Sequence, residues 1–435
     1  MSTASSKWAK KQPAYKQLKK QIEKDEKFYF ALTTSLTVAL HKAGAQLNDN
    51  LFYAIDNEFG GNGGGWPTTP EEYLDYVEKY LVLIPNELND PEYPDAWTSD
   101  SESNGYNQKV YDLLCHFYFL VDQPLPTLGI TMQDYKNGKF VFADWLREFA
   151  VDWGKFLDTE ASLPIWALAS FIADPMYNMP LYSDDAKNWK SFNQFFYREF
   201  NGANKKNKGH TPLRPIAEPN NNNAIVSGAD CTYKMTYPID DKGNVMGING
   251  QPTSVELKGT HNVYTVEELL DNKELAKAFN GGTFVHYFLS PFDYHRFHSP
   301  VNGKVKECKW VQGNVYLDVN LTEDGEFDAP DSAEGGYEFL QSRGVFVVDA
   351  GDPIGLVAAI PIGMAQVSGV DMYKLKGKTA KKGDEFGKFM FGGSDMIMLF
   401  QKNPDLYLWT KDPAHQPIHS QFGQVAAYWS LKEQK

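Results

Sequence analysis

The 435-residue sequence is short of several features that would assign it to a class at once. Its three cysteines, Cys115, Cys231 and Cys308, have no CxxC spacing, which indicates neither a disulfide framework nor a zinc site. The N-terminus lacks the apolar segment of a secretory signal. The longest apolar run, near 163–173, is far shorter than the roughly 20 residues that a membrane-spanning helix needs. We therefore expect a soluble protein of a reducing compartment, the cytoplasm.

Positively charged residues are fewer than negatively charged ones. The chain has 42 Lys and Arg residues against 56 Asp and Glu, a formal net charge of −14. This balance argues against nonspecific binding of nucleic acid. Residues 1–30 are the exception, because they are rich in lysine and Tyr15, Leu18 and Ile22 recur at helical spacing. Such a basic amphipathic helix either packs on the protein, which we expect, or makes peripheral contact with a membrane.

Helical periodicity dominates the first 200 residues. The spacing of apolar residues predicts helices over 28–43, 70–83, 106–121 and 141–156. The glycine cluster at 60–65 lacks the GxxxxGK[ST] pattern of a phosphate loop. We therefore expect a flexible loop there and not a nucleotide site.

The pattern changes after residue 200. Residues 201–223 are rich in Asn, Lys, Gly and Pro, which predicts a linker or an exposed excursion. Short apolar runs typical of strands then follow one another at turn-rich intervals. They lie at 224–227, 283–289, 304–311, 315–319, 345–349, 355–360, 365–370, 387–391 and 396–400. The sequence thus predicts an α+β protein with a helical domain over 1–200, a linker over 201–223 and a β-rich domain over 224–435.

Chemistry is suggested first by Ser394, which follows two glycines between two apolar runs. The serine hydroxyl can attack the carbonyl of Gly393 only if the backbone bends, which glycine permits. An ester would replace the amide, and β-elimination and hydrolysis would leave a pyruvoyl group. That route needs a base to take the serine proton. A Gly-Gly-Ser tripeptide alone is usually no more than a turn.

Two histidines and an aspartate supply candidates for that base. His295 and His298 lie three residues apart among aromatic residues, and Asp230 lies at the start of the β-rich part. A carboxylate can hold an imidazole in the tautomer that activates a serine. Each residue also has a structural interpretation, since a lone aspartate often caps a turn. The histidine pair has no third ligand at metal spacing, so we expect no metal.

Taken together, these segments resemble the phosphatidylserine decarboxylase family. FLSPFDYHRFHSPVNGKV resembles its longest signature, KGDEFGKFMFGGS its self-cleavage signature and VSGAD its aspartate-bearing segment. The KG pair at 258–259 with the residues up to 270, and IGMAQVSGV at 362–370, match further segments in family order. The resemblance covers roughly residues 190–435.

The resemblance implies a role for each residue. The chain would be cut between Gly393 and Ser394, and Ser394 would become a pyruvoyl cofactor that binds a substrate amine as a Schiff base. His298 would deprotonate Ser394, with Asp230 orienting it. His295 would serve decarboxylation as a proton donor or an orienting group. The family also tends to self-associate, and the later strands resemble the flattened barrel of lipoyl and biotinyl carrier domains.

One departure from the family bears on the substrate. Asp395 stands where the family has Thr or Ser, and a negative charge beside the pyruvoyl group should disfavour a phosphodiester. Residues 51–57 and 191–200 resemble a subgroup with a helical extension that includes fungal decarboxylases of tryptophan. We therefore expect a free L-amino acid, aromatic by this resemblance, as substrate. Two alternatives stay open: a phosphatidylserine headgroup, and an unprocessed pseudoenzyme that acts as an interaction module.

Overall fold

The computed structural model describes most of the chain. The described residues are 3–97, 108–182, 189–247, 249–252, 254–257, 260–263, 265–329, 339–363, 369–391 and 394–431. At 254–257, 260–263 and 394 the description is of the backbone alone. Gly393 and most of the strand predicted at 365–370 lie outside the described residues.

Helices fill the first part of the chain. They are α1 (Thr3–Ala9), α2 (Pro13–Lys24), α3 (Glu26–Gln46), α4 (Asp49–Glu58), α5 (Pro70–Tyr80), α6 (Gln108–Phe119), α7 (Phe142–Leu157), α8 (Ile165–Ala173) and α9 (Phe192–Phe196), with α10 (Val266–Leu270) and α11 (Lys273–Ala276) further on. The four helices predicted from periodicity correspond to α3, α5, α6 and α7. Thr69 caps α5, since its hydroxyl accepts the Glu72 amide and the Glu72 carboxylate accepts the Thr69 amide.

The helices are held together by aromatic side chains. Tyr80 packs edge-on against Phe149 and Trp153, with ring centroids 5.7 and 5.0 Å apart, and Phe117 stacks on Phe149 at 4.6 Å. Burial of each such ring stabilises the fold by about 1.5–3 kcal/mol. The basic helix α2 also belongs to this core, since its apolar residues are buried where it packs on α5 and α7. Its apolar face is therefore covered by protein.

Most of the strands lie after residue 224, where strand residues outnumber helical residues. They are β1 (Lys136–Asn137), β2 (Phe140–Val141), β3 (Ala224–Val226), β4 (Cys231–Pro238), β5 (Ser254–Leu257), β6 (Thr260–Val263), β7 (Thr283–Leu289), β8 (Arg296–His298), β9 (Gly303–Val311), β10 (Asn320–Leu321), β11 (Phe327–Asp328), β12 (Arg343–Asp349), β13 (Leu356–Gly363), β14 (Val370–Met372), β15 (Thr379–Ala380), β16 (Glu385–Phe389), β17 (Ser394–Phe400), β18 (Tyr407–Leu408), β19 (His419–Ser420) and β20 (Val425–Tyr428). The predicted α+β class is confirmed.

The main sheet has eight antiparallel strands in the order β15-β9-β12-β13-β17-β7-β4-β19. One face packs against the small sheet β14-β16-β8, where Phe346 stacks on Phe386 with ring centroids 4.0 Å apart. The other face is covered by α10 and α11, through a cluster that includes Leu269, Ile397 and Leu399. Alternate residues of each central strand thus belong to two different cores.

Two expectations need correction. The run 315–319 forms no strand, although Val315, Leu317 and Val319 are buried. Its backbone is bonded instead to side chains of the helical part: the Leu317 carbonyl accepts from Gln133, and the Val319 amide donates to Asp122. The alternation therefore reflects burial against helices and not sheet pairing.

Residues 201–223 are more than a free linker. Arg214 is buried and its guanidinium lies 3.0 Å from the carboxylate of Asp230. Lys208 and His210 both contact the carboxylate of Asp384, at 2.6 and 3.0 Å. The segment therefore packs on the β-rich part and contributes side chains to the region of the predicted site. The high asparagine and lysine content of the segment gave no indication of these contacts.

Candidate active site

The predicted cleavage position lies at the edge of a central strand. Ser394 is the first residue of β17, which runs between β13 and β7. The backbone of Ser394 is paired with Gly363 on one side and with Leu289 on the other. A cut before Ser394 would therefore fall where the chain enters the sheet, and β17 would stay held on both sides.

The two predicted histidines lie on β8 and just before it, beside β16. Glu385 is paired with His298, and the Phe389 amide donates to the His295 carbonyl at 2.9 Å. Strand β16 runs toward Ser394. The partner of His295 on β16, Phe389, is therefore closer to Ser394 in sequence than Glu385, the partner of His298. The two imidazoles have different ring neighbours, Phe196 for His295 and Phe422 for His298.

His295 is a buried imidazole that makes no hydrogen bond of good geometry to a described residue, although the Asp293 backbone lies close enough to the ring to raise its pKa. The ring stacks on Phe196 with centroids 3.8 Å apart. Phe196 in turn packs edge-on against Phe391, three residues before Ser394. Burial, and then the charge of Arg198, hold the pKa of His295 well below its usual range, and the nearby Asp293 carbonyl offsets this only in part. The ring is thus neutral at neutral pH.

His298, by contrast, is fully engaged. Its Nδ1 lies 2.8 Å from the Gly383 carbonyl and its Nε2 lies 3.2 Å from the Tyr294 hydroxyl. The carbonyl can only accept, so Nδ1 carries the proton and Nε2 accepts from the hydroxyl. Burial lowers the pKa of His298 to about 4. A neutral ring with an unprotonated Nε2 has the protonation state that a general base requires, and here that nitrogen accepts from Tyr294.

Asp230 does not contact His298 directly. Its carboxylate accepts from Arg214 at 3.0 Å and from the Phe422 amide at 2.8 Å. The Phe422 ring stacks on His298, with centroids 4.0 Å apart. Asp230 and His298 are therefore connected only indirectly, through the backbone and ring of Phe422. The Gly383 carbonyl, and not Asp230, sets the tautomer of His298. Burial raises the pKa of Asp230, although Arg214 opposes this.

Several charged side chains of the site were not predicted. Arg296 donates to Glu385 at 2.7 Å, and both side chains are buried. Arg198 is also buried, and it donates to the carbonyls of Phe292 and Asp293 at 2.5 and 3.1 Å. Arg296 and Asp293 stand within the signature that carries the histidines, which is a signal that sequence analysis could have used. Arg198 stands in the stretch 191–200 that resembles the subgroup with a helical extension, whereas Arg214 lies in the segment 201–223, where no motif pointed to it.

Asp395 is buried and faces away from the described cavity. Its carboxylate lies 3.1 Å from Nε2 of His286, and both side chains are fully buried. Asp395 alternates with Met396 along β17, so it shares a face with Ile397 and belongs to the side covered by α10 and α11. The effect of Asp395 on a phosphodiester substrate stays a prediction.

A cavity of about 660 Å³ adjoins the segment before Ser394. Two hydrogen bonds connect its walls with that segment, and a third connects them with Gly363, the strand neighbour of Ser394. Asn193 accepts the Phe391 amide, Gly369 accepts the Met390 amide, and the Ser342 carbonyl accepts the amide of Gly363, the neighbour of Ser394. The lining residues are Arg147, Ala150, Val151, Gly154, Lys155, Asp158, Asn193, Tyr197, Trp310, Gln312, Val315, Ser342, Gly369, Val370, Asp371, Lys388 and Met390.

The lining combines charged side chains with aromatic rings. Its cations are already paired with carboxylates: Arg147 with Asp144, Lys155 with Asp152 and Lys388 with Asp371. The rings of Tyr197 and Trp310 also line the cavity. A larger cavity, of about 920 Å³, lies between α3 and residues 125–137. None of the predicted site residues is in the lining of either cavity, but the smaller one contacts the segment before Ser394, so we place the candidate site there.

Comparisons with known proteins identify relatives of this chain. The sequence model described as phosphatidylserine decarboxylase matches residues 192–426. A phosphatidylserine decarboxylase proenzyme of Fusobacterium nucleatum is 31% identical over 59% of this chain and 75% of its own length. Decarboxylase iboD of Amanita muscaria is 36% identical over 33% of this chain and 44% of its own length. An L-tryptophan decarboxylase of Psilocybe cubensis is 25% identical over 52% and 48%.

The chain belongs to the phosphatidylserine decarboxylase family, since the match covers more than half of it. The predicted family is thus confirmed, as is the prediction of a decarboxylase at the level of the family. The relatives' names differ in the molecule they mention, so the family leaves the substrate to be argued from the site. Within the described residues no helix is both long and apolar enough to cross a membrane.

Proposed function

We propose that the chain cuts itself between Gly393 and Ser394 and then decarboxylates a free L-amino acid with an aromatic side chain. The observation that carries the proposal is the buried imidazole of His295, which makes no hydrogen bond of good geometry to a described residue and stacks on Phe196 beside the segment that leads to Ser394. A fully buried polar group without a good hydrogen bond costs stability, so it is retained for a reason other than folding.

Self-cleavage begins at the serine hydroxyl. Its oxygen bonds to the Gly393 carbonyl carbon, the C–N bond to Ser394 breaks, and the nitrogen takes the hydroxyl proton. Elimination across Cα–Cβ of residue 394 then frees Gly393 as a carboxylate. Water replaces the nitrogen, which leaves as ammonia, and residue 394 is now a pyruvoyl group. His298 in its Nδ1–H tautomer is the base that we assign to the first proton transfer.

The surroundings of residue 394 fit a pyruvoyl group. That group supplies an electrophilic carbonyl, which takes up the substrate amine and the electron pair left by carbon dioxide. His295 is neutral and its ring nitrogens make no hydrogen bond of good geometry within the described part of the chain, so it can hold or donate a proton at the substrate. Tyr197 and Trp310 offer faces to an aromatic ring. A substrate carboxylate that binds Arg147, Lys155 or Lys388 would compete with the carboxylates that already pair with them.

Two measurements test this proposal. Intact mass before and after a carbonyl reagent reports both the cut and the new carbonyl, and Ser394→Ala should abolish both. Carbon dioxide release from a panel of free amino acids should be highest with aromatic ones. A full-length species that persists on prolonged incubation, without reaction with the reagent, would contradict the proposal and favour an unprocessed interaction module.

Phosphatidylserine is the second candidate substrate. Val151 and Trp310, which line the cavity, are 54% and 50% exposed, so apolar surface meets solvent beside the site. Such a rim suits the acyl-chain side of a lipid. Vesicles that contain phosphatidylserine, assayed beside the amino acids, distinguish the two: release of carbon dioxide from vesicles alone would replace the amino acid by the lipid.

A further inference from the structure

Asp293 is the centre of a turn that connects β7 with β8 and carries His295 at its end. The Asp293 carboxylate accepts the Ser290 amide at 2.8 Å, and the Asp293 amide donates to the Ser290 carbonyl at 2.9 Å. Ser290 follows Leu289, the strand neighbour of Ser394. The turn is therefore closed on itself directly beside the cleavage position.

A histidine from far along the chain completes the bonding of Asp293. Nε2 of His419, on β19, lies 2.9 Å from the second carboxylate oxygen of Asp293. The Asp293 side chain is 5% exposed and that of His419 is 43% exposed. His419 is thus the solvent-facing partner of a buried carboxylate, and it lies after Ser394 whereas Asp293 lies before it. The contact would join the two products of the cut.

His295 depends on this turn for its position. Its ring nitrogens make no hydrogen bond of good geometry in the described part of the chain, so stacking on Phe196 and the backbone of the turn are what orient it. Two outside groups hold that backbone: Arg198, through the Phe292 and Asp293 carbonyls, and His419, through the Asp293 carboxylate. Displacement of a reacting group by about 1 Å can cost a hundredfold in rate.

We propose that His419 and Asp293 are positioning residues for decarboxylation, and that they hold the turn that presents His295 to the substrate from across the cut. The inference rests on the proposed function. Neither residue need touch the substrate, because both act through the backbone between 290 and 295. The pair also makes the position of His295 depend on the protonation of His419.

The charges around His419 decide the direction of that dependence. Burial of the ring lowers the pKa of His419, but the hydrogen bond and charge of Asp293, together with the charge of Asp230, outweigh burial and the opposing charge of Arg214. The pKa of His419 therefore stands above its ordinary value of 6.5. Protonated His419 binds Asp293 as an ion pair, and this pair weakens to a neutral contact as pH rises through that pKa.

The first test needs no turnover. In uncut Ser394→Ala protein with labelled histidine rings, NMR titration should show His419 with a pKa above its ordinary value of 6.5, and His419→Gln identifies its signal. Asp293→Asn should lower the pKa of His419. A pKa of His419 that is not raised and does not change in Asp293→Asn would overturn the inference.

The second test uses the cut enzyme. Turnover should fall as pH rises through the pKa of His419, and this limb should vanish in His419→Gln, whose amide still donates to Asp293. Asp293→Asn should move the limb to lower pH and reduce kcat about tenfold, with little change in KM. His415→Asn, four residues away and exposed, should leave the profile as it is.

The outcomes separate the two proposals. If Ser394→Ala is still cut, or if the processed protein releases no carbon dioxide from any substrate offered, the proposed function fails. If cutting and turnover are normal but His419→Gln retains the wild-type pH profile, the function stands and only the positioning role is refuted.

Discussion

The helical region before residue 182 and the β-rich region after 224 treat buried polar groups differently. In the helical region the buried Asp152 carboxylate accepts the Ala14 amide at the start of α2, and its ion-pair partner Lys155 is half exposed. In the β-rich region both members of an ion pair can be buried, as in Arg296 with Glu385 and in Asp230 with Arg214 from the preceding segment. Buried pairs of that kind add little to net stability. Their concentration around the cleavage position therefore indicates function and not folding.

A pair of buried histidines gives the sharpest form of this comparison. His295 in the β-rich region makes no hydrogen bond of good geometry to a described residue, whereas His116 on α6 has its Nδ1 3.1 Å from the Tyr76 hydroxyl. Replacement of His295 by Gln should lower kcat by about 10²–10⁴-fold, the usual contribution of a general acid or base. Self-cleavage should persist, since we assign it to His298. Carbon dioxide release and intact mass measure the two effects.

His116→Gln is the matched control. It should lower the free energy of unfolding by about 1–3 kcal/mol through the loss of a buried hydrogen bond. Its kcat, per mole of folded protein, should equal that of the parent. If His116→Gln lowers kcat as much as His295→Gln does, the two regions do not differ as we describe, and buried imidazoles serve packing in both.

The pair of Arg214 and Asp230 tests whether the segment 201–223 belongs to the site. Asp230→Asn removes the negative partner and leaves a buried guanidinium unpaired, so we expect a loss of about 3–5 kcal/mol in stability, measured by denaturant unfolding. Self-cleavage should slow as well, because Asp230 also holds the Phe422 backbone on which His298 stacks. Unchanged stability would mean that the segment is the free linker that its composition suggests.

A mutation at both positions separates pairing from packing. The Arg214→Met change in the Asp230→Asn background removes the unpaired charge and should restore part of the lost stability. If the double variant is no more stable than Asp230→Asn, the two side chains stabilise the fold through packing, and the charge interaction at 3.0 Å adds nothing to the free energy of unfolding.

Acid should destabilise the β-rich region through His298. Its pKa falls from 6.5 to about 4 on folding because the ring is buried, so the unfolded chain binds the proton more readily between these values. Stability is therefore retained above about pH 6.5 and lost as pH falls toward 4, by about 3 kcal/mol for this group. Denaturant unfolding at pH 7 and pH 5 should show a smaller difference in His298→Gln than in the parent.

Sequence patterns predicted the helices and strands more accurately than they predicted the contacts between distant residues. Strand β7 was predicted at 283–289 with its observed bounds, because a strongly apolar run between turns leaves few alternatives. The two histidines, Asp230 and Ser394 were predicted as site residues because they stand in motifs that resemble those of the family. The partners of Asp230 could not be predicted, since Arg214 lies in a polar segment and Phe422 contributes only its amide and ring. Contacts between distant segments depend on tertiary packing, which local periodicity does not encode.

Asp395 is the residue for which the distinction between site and core is hardest to draw. It lies one residue from the predicted cut, yet its side chain is buried on the side of the sheet that α10 and α11 cover. Asp395→Thr removes the group that lies 3.1 Å from His286, so we expect a loss of about 1–2 kcal/mol in unfolding free energy. The order of preference among phosphatidylserine vesicles and free amino acids should stay the same, since the side chain faces α10 and α11 and not the described cavity. A change in that order, at unchanged stability, would show that the charge acts on the substrate after all. Asp395 would then count among the ionisable groups of the site, and substrate choice would have to be sought on both faces of β17.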